Sequence, residues 1–452
     1  MTAEIIILAA GKGTRMRSKL PKVLHKIAGE SMLGHVIDTA KNLHVDQVHV
    51  VVGHGAEQVQ ATIIDNVHWA LQEQQLGTGH AVAQAMHRVN NESTVLIVYG
   101  DVPLVKKETL AALLAATTEK SMALLTVEMN NPQGYGRILR NAQQQVVAIV
   151  EQKDANDEQK LIKEVNTGIM AVKAKQLASW LPALSDNNAQ GEYYLTDIIA
   201  MAVAEGVSVI AQQAGSVEEV QGVNNRQQLS ELERYYQIQQ AETLMEKGAT
   251  LADPKRIDIR GNVKVGEDVF IDVNCVFIGD VEIADGVSIG PNCIIENSNV
   301  GENSQIKANS VIESATIADH CDIGPFARIR PQTQLQSKAK IGNFVETKKS
   351  IIGMGSKVNH LSYIGDAVIG DNANIGAGTI TCNYDGVNKS KTVIGENAFI
   401  GSNSSLVAPV EIGKGATVGA GSTITNNVGE EALAVARGKQ RQIDSWKRPS
   451  KK

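Results

Sequence analysis

A glycine-rich segment near the N-terminus carries residue types suited to binding phosphate. It reads Leu8-Ala9-Ala10-Gly11-Lys12-Gly13-Thr14-Arg15-Met16, and Pro21-Lys22 follows shortly after. Glycines let backbone N–H groups approach phosphate oxygens closely, and Arg15 and Lys22 add cations where a triphosphate would lie. The third glycine of the dinucleotide-binding fingerprint and the first glycine of the Walker spacing are both missing. The glycines alone would also fit a tight structural turn.

Asp101 is a candidate ligand for a cation or a sugar. It closes the sequence Tyr99-Gly100-Asp101 at the end of an apolar run, and carboxylates at strand ends contact ligands in open α/β sheets. Transfer of a phosphate-containing group needs positioning and charge neutralisation rather than a side-chain nucleophile. Mg²⁺ takes hard oxygen ligands, often only one or two of them from protein. A solvated carboxylate is the alternative for Asp101.

A second set of polar residues lies in the C-terminal half. Its segments are Gly342-Asn343-Phe344-Val345-Glu346-Thr347-Lys348-Lys349, Lys357-Val358-Asn359-His360-Leu361-Ser362-Tyr363-Ile364-Gly365-Asp366 and Cys382-Asn383-Tyr384-Asp385-Gly386. Group transfer often needs a proton acceptor, and histidine titrates near neutrality. His360 is therefore a candidate general base, although a lone histidine on a regular scaffold is often structural or merely exposed.

The elements that position the first set follow an α/β pattern. Aliphatic runs at 5–8, 48–52, 95–99 and 122–127 predict strands, and the spacing at 32–42 and 79–88 predicts helices. This alternation predicts an α/β domain with a mostly parallel sheet over residues 1–224. Residues 225–247 contain no proline and no internal glycine, which predicts a linker helix that stops at Gly248.

The second set lies on a six-residue repeat. Aliphatic residues recur at every sixth position from Ile394 to Ile424, and a second run extends from Ile317 to Ile341. This period predicts a parallel β-helix of hexapeptide repeats over residues 248–452, with a C-terminal arm after Ile424. The rhythm fails at 382–391. Insertions into such repeats form loops, and we expect this loop to be functional rather than inert.

Composition restricts the class of protein. Hydrophobic residues make up 43% and charged residues 20% of the chain, which is ordinary for a soluble protein. The net charge of −6 gives no basic footprint for nucleic acid. Four scattered cysteines without CxxC spacing argue against a zinc site or a disulfide framework. No segment has the features of a signal peptide or of a membrane span, so we expect a soluble, cytoplasmic protein.

The N-terminal motifs resemble the sugar-nucleotidyltransferase family. The resemblance rests on GxGTRM with a nearby PK, on Gln75-Leu76-Gly77-Thr78-Gly79-His80-Ala81, on Tyr99-Gly100-Asp101 and on Gly134-Tyr135-Gly136-Arg137. It implies a Rossmann-like fold, Arg15 and Lys22 as phosphate-stabilising residues, and Asp101 and Asn224 as Mg²⁺ ligands. The sugar-nucleotide contacts that it implies are Leu8, Ala9, Ala10, Gly11, Lys22, Gln72, Gly77, Thr78, Tyr99, Gly100, Asp101, Gly136, Glu151, Asn166 and Asn224.

The whole chain resembles a bacterial family of bifunctional uridylyltransferase–acetyltransferases. The motifs GNFVE-x-KK, H-L-x-Y-x-GD and NIGAGTITCNYDG carry this likeness. It implies a left-handed β-helix, trimers with acetyl-transfer sites between subunits, His360 as the base and Glu346 as the residue that orients its ring. The implied sugar-phosphate contacts are Arg330, Lys348, Tyr363, Asn374 and Lys389. The implied acetyl-CoA contacts are Ala377, Asn383, Tyr384, Ser402, Ala420 and Arg437.

The resemblance implies two reactions. The β-helix would acetylate glucosamine 1-phosphate with acetyl-CoA, and the N-terminal domain would join the product to UTP, giving UDP-N-acetylglucosamine for peptidoglycan and lipopolysaccharide synthesis. Two alternatives remain at this stage. One is a nucleotidyltransferase whose β-helix only oligomerises, and the other is a non-enzymatic scaffold that binds sugar nucleotides. His360 with the loop at 382–391 argues against the first, and Asp101 with Asn224 argues against the second.

Overall fold

The computed structural model describes residues 2–450 and divides into two compact units. The first unit is Met1–Tyr236 and the second is Gln237–Lys452. The division falls inside a single helix that spans Arg226–Glu246. The predicted partition into 1–224, 225–247 and 248–452 stays a prediction.

The first unit is built on a mixed sheet. Its strand order is β11-β7-β10-β6-β1-β4-β5, in which β10 is antiparallel to both neighbours and the other pairs are parallel. The strands of this unit are β1 (Ala3–Ala9), β2 (Lys26–Ile27), β3 (Glu30–Ser31), β4 (Gln47–Val52), β5 (His68–Leu71), β6 (Thr94–Tyr99), β7 (Ser121–Glu128), β8 (Arg137–Arg140), β9 (Val146–Val150), β10 (Glu164–Lys173) and β11 (Ser208–Gln213).

Helices cover both faces of this sheet. Two separate clusters of buried aliphatic side chains, one containing Ile5 and Ile7 and the other containing Ile6 and Leu8, arise because successive strand residues point to opposite faces. The helices are α1 (Met32–Asn42), α2 (Ala56–Thr62), α3 (Thr78–Met86), α4 (Lys107–Ala116), α5 (Asp157–Lys160), α6 (Ala174–Trp180), α7 (Ile198–Ala204), α8 (Val217–Val220) and α9 (Arg226–Glu246). Short 3-10 turns occur in this unit at Thr14–Met16, Lys22–Leu24, Leu181–Ala183 and Leu195–Asp197, and in the second unit at Pro254–Arg256.

The second unit is a parallel β-helix. Its strands pair coil upon coil in parallel ladders of eleven and seventeen strands. They are β12 (Thr250–Leu251), β13 (Ile257–Val265), β14 (Phe270–Ile271), β15 (Cys275–Ile283), β16 (Ser288–Ile289), β17 (Ile294–Glu296), β18 (Asn299–Val300), β19 (Gln305–Ile306), β20 (Val311–Glu313), β21 (Thr316–Ile317), β22 (Asp322–Ile323), β23 (Arg328–Ile329), β24 (Gln334–Leu335), β25 (Lys340–Asn343), β26 (Glu346–Lys348), β27 (Ile351–Ile352), β28 (Lys357–His360), β29 (Tyr363–Gly365), β30 (Ala367–Ile369), β31 (Asn374–Ile375), β32 (Ile380–Cys382), β33 (Thr392–Ile394), β34 (Phe399–Ile400), β35 (Ser405–Val407), β36 (Val410–Ile412), β37 (Thr417–Val418), β38 (Thr423–Ile424) and β39 (Leu433–Ala434).

The six-residue rhythm places one aliphatic residue of each side in the interior. Ile323, Ile341 and Val358 are fully buried and belong to one continuous core that runs along the coils. One coil separates Lys357 from Asn374, 17 positions on, whereas the next step pairs Asn374 with Phe399, 25 positions on. The longer step contains the segment at 382–391, which therefore projects from an otherwise regular coil.

These observations confirm the predicted fold class, an α/β domain with a mostly parallel sheet followed by a parallel β-helix of six-residue repeats. Across residues 2–450, no helix is both long enough and apolar enough to cross a bilayer.

Candidate functional site

A groove in the first unit lies at the carboxyl ends of β1 and β6. It consists of two cavities, of ≈ 290 Å³ and ≈ 280 Å³, that share Tyr99 and Asp101. Predicted contacts that line the first cavity are Leu8, Ala9, Ala10, Gly11, Lys22, Gln72, Gly77, Thr78, Tyr99 and Asp101. Arg15 and Asn224 line the second. Gly100, Gly136, Glu151 and Asn166 line neither cavity. The structure thus brings most of the predicted nucleotide contacts to one sheet edge.

The glycine-rich segment forms an open turn beside this groove. Gly13 has a φ of 59°, and a Cβ there would lie 2.6 Å from the Lys22 Cβ, so the turn and the packing of Lys22 both require glycine. An added Cβ on Gly11 would meet nothing within 4 Å. In the described chain, the backbone N–H groups of Gly11, Lys12 and Gly13 have no backbone or side-chain acceptor. They remain available to an anion.

Two cations and two oxygen ligands meet at the floor of the groove. Lys22 Nζ forms an ion pair with Asp101 Oδ2 and lies 3.5 Å from Asn224 Oδ1. Arg15 Nη2 donates to the same Asn224 oxygen at 2.8 Å. Val223 N–H donates to the Asp101 carbonyl at 2.9 Å, which ties the Asn224 segment to the end of β6. Residues from 15 to 224 therefore converge on one point.

This cluster fits a hard divalent cation. The Asp101 carboxylate and the Asn224 amide oxygen both already face the same ammonium group, and both are oxygen ligands of the kind that Mg²⁺ prefers. Within residues 2–450, no cluster of three or more His, Cys, Asp or Glu side chains is arranged to hold a metal. A cation at Asp101 and Asn224 would consequently take most of its ligands from phosphate and water.

The loop after β5 closes one end of the groove. Gly77 has a φ of 119°, and a Cβ there would lie 2.6 Å from the Tyr193 carbonyl oxygen. Tyr193 N–H donates to Leu76 O at 2.8 Å, and Gly79 N–H donates to Tyr193 O at 2.9 Å. The Gln72 side chain is buried beneath this loop and donates to Gly77 O at 3.1 Å. The loop is thus held by backbone contacts that leave no room for a side chain at Gly77.

Glu151 and Asn166 form a polar group away from the two cavities. Burial raises the pKa of Glu151, and Thr196 Oγ1 donates to its Oε1 at 3.2 Å. A Cβ on Gly136 would lie 3.2 Å from the same oxygen. Asn166 N–H donates to Gly136 O at 2.9 Å, and the Asn166 side chain accepts from Gly168 N–H at 2.9 Å. Glu151, Gly136 and Asn166 are therefore neighbours, which is a condition for all three to contact one sugar nucleotide.

Burial also raises the pKa of the Tyr99 phenol, and the negative charges of Glu151 and Asp101 raise it further. Tyr99 consequently stays protonated at neutral pH and can donate a hydrogen bond. A Cβ on Gly168 would lie 2.4 Å from the Tyr99 ring, so glycine at that position makes room for the ring. Tyr99 thus connects the groove with the Glu151 group.

His360 lies exposed at the end of β28 in the second unit. Its Nδ1 lies 2.6 Å from Asn343 Oδ1, one coil below. The prediction that Glu346 orients this ring is wrong, because the Glu346 carboxylate accepts from Arg330 Nη1 at 2.7 Å instead. Asn343 takes that role because an in-register ladder brings residues 17 positions apart into contact.

Arg330, Lys348 and Lys389 form a cationic cluster beside the ladder of seventeen strands. Lys389, on the projecting loop, lowers the pKa of the Lys348 ammonium by direct contact and by charge, and Arg330 lowers it further. The hydrogen bond to Glu346 raises the pKa of Arg330. Three cations gathered around one point repel one another, and an anion bound among them would relieve that repulsion.

The other two predicted sugar-phosphate contacts lie apart from each other. Tyr363 is in register with Glu346 on the adjoining coil, so it borders the cationic cluster. Asn374 belongs to β31, which pairs with β28 and β34 on the ladder of eleven strands. The described structure forms no hydrogen bond between Asn374 and the cluster.

Four predicted acetyl-CoA contacts lie along one corner of the β-helix. Ala377 O accepts from Asn403 N–H at 2.7 Å, Ser402 O accepts from Gly421 N–H at 2.8 Å, and Ala420 O accepts from Arg437 Nη1 at 2.7 Å. His360 O accepts from Gly378 N–H at 3.3 Å, which places the histidine at the head of the same corner. These residues form a continuous edge over successive coils.

The projecting loop carries the other two predicted acetyl-CoA contacts, Asn383 and Tyr384. The Asn383 side chain donates to Asp366 Oδ2 at 2.5 Å, and Tyr384 is 60% exposed. Neither residue forms a hydrogen bond with His360 within residues 2–450. Asp385 accepts from the N–H groups of Val387 and Asn388, and these bonds lower its pKa and shape the turn.

The sequence reasoning missed three residues that hold the sites together. Asn343 lies in the polar segment at 342–349, and its position one coil before His360 was the signal that would have identified it. Tyr193 and Thr196 come from a segment without a recognisable pattern, and only the folded chain brings them to Gly77 and Glu151.

Comparison with known proteins gives relatives over the whole length. The chain is 63% identical over 450 residues to the Bifunctional protein GlmU of Cellvibrio japonicus and 60% identical over 449 residues to that of Marinobacter nauticus. Each alignment covers 99% of both chains. The Bifunctional protein GlmU of Pseudomonas putida is 58% identical and covers 100% of this chain and 99% of its own.

Family descriptions match the two units separately. The MobA-like NTP transferase domain matches residues 5–190, the GMPPB C-terminal domain matches 259–336, and the bacterial transferase hexapeptide (six repeats) matches 391–426. The match to a nucleotidyltransferase and to a hexapeptide transferase agrees with both predicted reactions. The chain therefore belongs to the family of bifunctional GlmU proteins and is an enzyme with the acetyltransferase and uridylyltransferase activities of UDP-N-acetylglucosamine synthesis.

Proposed function

We propose that the groove of the first unit binds UTP and N-acetylglucosamine 1-phosphate and transfers the uridylyl group between them. A phosphate oxygen of the sugar attacks the α-phosphorus, and the bond from that phosphorus to pyrophosphate breaks. The free N–H groups of Gly11 to Gly13 bind the phosphate chain, and Arg15 and Lys22 neutralise charge that develops on it. The observation that carries this proposal is the shared position of Lys22, Asp101 and Asn224.

Asp101 and Asn224 would hold Mg²⁺ in this groove. The ion would supply further neutralisation of the phosphate oxygens. The Lys22 ammonium contacts both ligand side chains, and Arg15 also donates to Asn224, so contacts within the folded chain already orient the ligand oxygens. Gln72 and Gly77 would contact the base, and Gly136, Glu151 and Asn166 would contact the sugar.

The acetyl-transfer site of the second unit would form around His360. Asn343 Oδ1 accepts only, so it favours a proton on Nδ1 and leaves Nε2 free as the base. Nε2 takes a proton from the amino group of glucosamine 1-phosphate while the nitrogen attacks the thioester carbonyl, and the coenzyme A thiolate leaves. Arg330, Lys348 and Lys389 bind the sugar phosphate. The edge from Ala377 to Arg437 binds acetyl-CoA, with Ser402 N–H near the developing oxyanion.

The β-helix would assemble as a trimer. Its flat sides expose large apolar residues, among them Ile351, Ile380 and Phe399, and a subunit interface would bury them. Phe326 and Phe344 stack at 5.3 Å on a corner where both are about half exposed. Sedimentation of the purified protein tests this part, with a species of three chains expected. The cytoplasm is the proposed location, and all four cysteines are free thiols.

Two variants test the assignment of the sites. With UTP, acetyl-CoA, Mg²⁺ and glucosamine 1-phosphate, His360→Ala is expected to lose acetyl transfer and to keep uridylyl transfer from added N-acetylglucosamine 1-phosphate. Asp101→Ala is expected to do the reverse. If acetyl transfer survives His360→Ala, His360 is not the base. If uridylyl transfer survives Asp101→Ala, the metal assignment is wrong.

A further inference from the structure

His80 lies behind the loop that closes the groove. It belongs to the first turn of α3 and is half-buried, and it lines neither of the two cavities. Its Nδ1 lies 3.0 Å from Gln72 Nε2, and its Nε2 lies 3.1 Å from Gln84 Nε2. His80 therefore does not line the groove, but it contacts Gln72, which does.

The orientation of the Gln72 amide follows from its other neighbour. Gln72 Nε2 is 3.1 Å from the Gly77 carbonyl oxygen, which can only accept, so the amide nitrogen must face Gly77. The second hydrogen of that NH₂ group points at His80 Nδ1. Both hydrogens are then used, and Gln72 Oε1 accepts from no group within residues 2–450. This oxygen is left as an acceptor for a ligand in the groove.

The same contact selects the protonation form of the His80 ring. If Nδ1 carried a proton, that N–H would face the NH₂ group of Gln72, and two donors would oppose each other. A ring with its proton on Nε2 lets Nδ1 accept from Gln72. The Nε2 proton then faces Gln84 Nε2, which also donates to His80 O, so the Gln84 amide must turn its oxygen toward the ring. The half-buried Gln84 side chain can make that turn, whereas the Gln72 side chain is buried and held by Gly77 O. The alternative is rotation of the Gln72 amide, which would turn its NH₂ group into the groove and place Gln72 Oε1 against Gly77 O, a second acceptor that would keep only its bond from Ala81 N–H.

We propose that His80 is a positioning residue for base selection, which fixes Gln72 so that the groove presents an acceptor beside the Gly77 N–H donor. This inference rests on the proposed uridylyl transfer. Uracil offers an N3–H donor next to a carbonyl oxygen, which complements that pair. Cytosine offers an unprotonated N3 next to an amino group, and both would meet groups of the same kind. The geometry thus favours UTP over CTP.

The test is the ratio of kcat/KM for UTP to kcat/KM for CTP, with N-acetylglucosamine 1-phosphate as the acceptor. His80→Ala removes the acceptor for Gln72, and we expect this ratio to fall about tenfold or more. His80→Asn places an amide oxygen near the position of Nδ1 and is expected to restore most of the ratio. His87→Ala is the matched control, because His87 lies exposed at the end of the same helix.

Acetyl transfer by the same preparations reports folding of the chain independently of the groove. If His80→Ala lowers uridylyl transfer with UTP and CTP equally, His80 only supports the fold and the inference is wrong. If His80→Asn behaves like His80→Ala, the acceptor at Nδ1 is not what matters, and the inference again fails. If the wild type transfers no nucleotidyl group from UTP at all, the proposed function fails instead.

The tautomer gives a second, independent readout. Nitrogen chemical shifts of the His80 ring, assigned by comparison with His80→Asn, are expected to show the proton on Nε2 at neutral pH. A proton on Nδ1 would overturn the inference, because Gln72 would then face a donor.

Discussion

The two sites of this chain are built in opposite ways. The groove of the first unit collects side chains from positions as distant as Arg15, Lys22, Asp101 and Asn224, and direct contacts hold them together. The site on the β-helix takes its residues from successive coils, so Asn343 meets His360 because they lie 17 positions apart in an in-register ladder. One site depends on a unique set of contacts, and the other depends on a repeat.

This difference predicts different tolerance to substitution. In the groove, Lys22 contacts both ligand side chains, so its loss removes a cation and leaves Asp101 without its ion-pair partner, although Arg15 still donates to Asn224. On the β-helix, Lys348 is one of three neighbouring cations, and Lys389 and Arg330 remain when it is removed. Removal of the Lys22 charge should therefore lower uridylyl transfer more than removal of the Lys348 charge lowers acetyl transfer.

The largest expected effect is that of Lys22→Ala on uridylyl transfer. We expect kcat to fall by about 10²- to 10³-fold, as for the loss of one group that stabilises charge in the transition state. Lys348→Ala should instead raise KM for glucosamine 1-phosphate about tenfold and leave the kcat of acetyl transfer within a few-fold. Steady-state kinetics of both reactions measure this. Similar losses of kcat in both variants would remove the proposed contrast.

A smaller effect is expected when the partner of His360 is removed. Asn343→Ala leaves the ring free to rotate and to change tautomer, so the kcat of acetyl transfer should fall about 10- to 100-fold. Uridylyl transfer by the same protein is the internal control and should not change. Glu346→Gln separates the two roles, because Glu346 pairs with Arg330 and not with His360. If Glu346→Gln lowered kcat more than Asn343→Ala did, the assignment of Asn343 would be wrong.

The smallest effect concerns the stability of the β-helix. The buried Ser356 hydroxyl donates to Gly370 O at 2.6 Å and accepts from Ala373 N–H at 2.9 Å, and both partners lie on the next coil. Ser356→Ala leaves these two groups unpaired and should lower the free energy of unfolding of the β-helix by about 1–3 kcal/mol. Urea denaturation followed by residual acetyl transfer measures the change.

Ser337→Ala is the matched control for that variant, because the Ser337 hydroxyl forms no hydrogen bond within residues 2–450. An equal loss of stability in both variants would show that the contacts of Ser356 with the next coil contribute nothing.

The sequence predicted the fold well where local pattern decides it. The period of six residues located the β-helix, and the apolar runs at 95–99 and 122–127 lie within β6 and β7. Contacts that need tertiary structure were harder. The Gly77 loop depends on Tyr193, more than 100 positions away, and no local pattern marks that pair. The partner of His360 was predictable in principle, because the coil length fixes it, but a carboxylate was expected where an amide lies.

The most direct test of two separate sites is a mixing experiment. His360→Ala and Asp101→Ala proteins are each incubated with glucosamine 1-phosphate, acetyl-CoA, UTP and Mg²⁺, alone and together, and UDP-N-acetylglucosamine is measured. Each variant alone should form none, and the mixture should form it, because one protein supplies N-acetylglucosamine 1-phosphate to the other. Product formation by either variant alone, or none from the mixture, would contradict the assignment of the two reactions to separate sites.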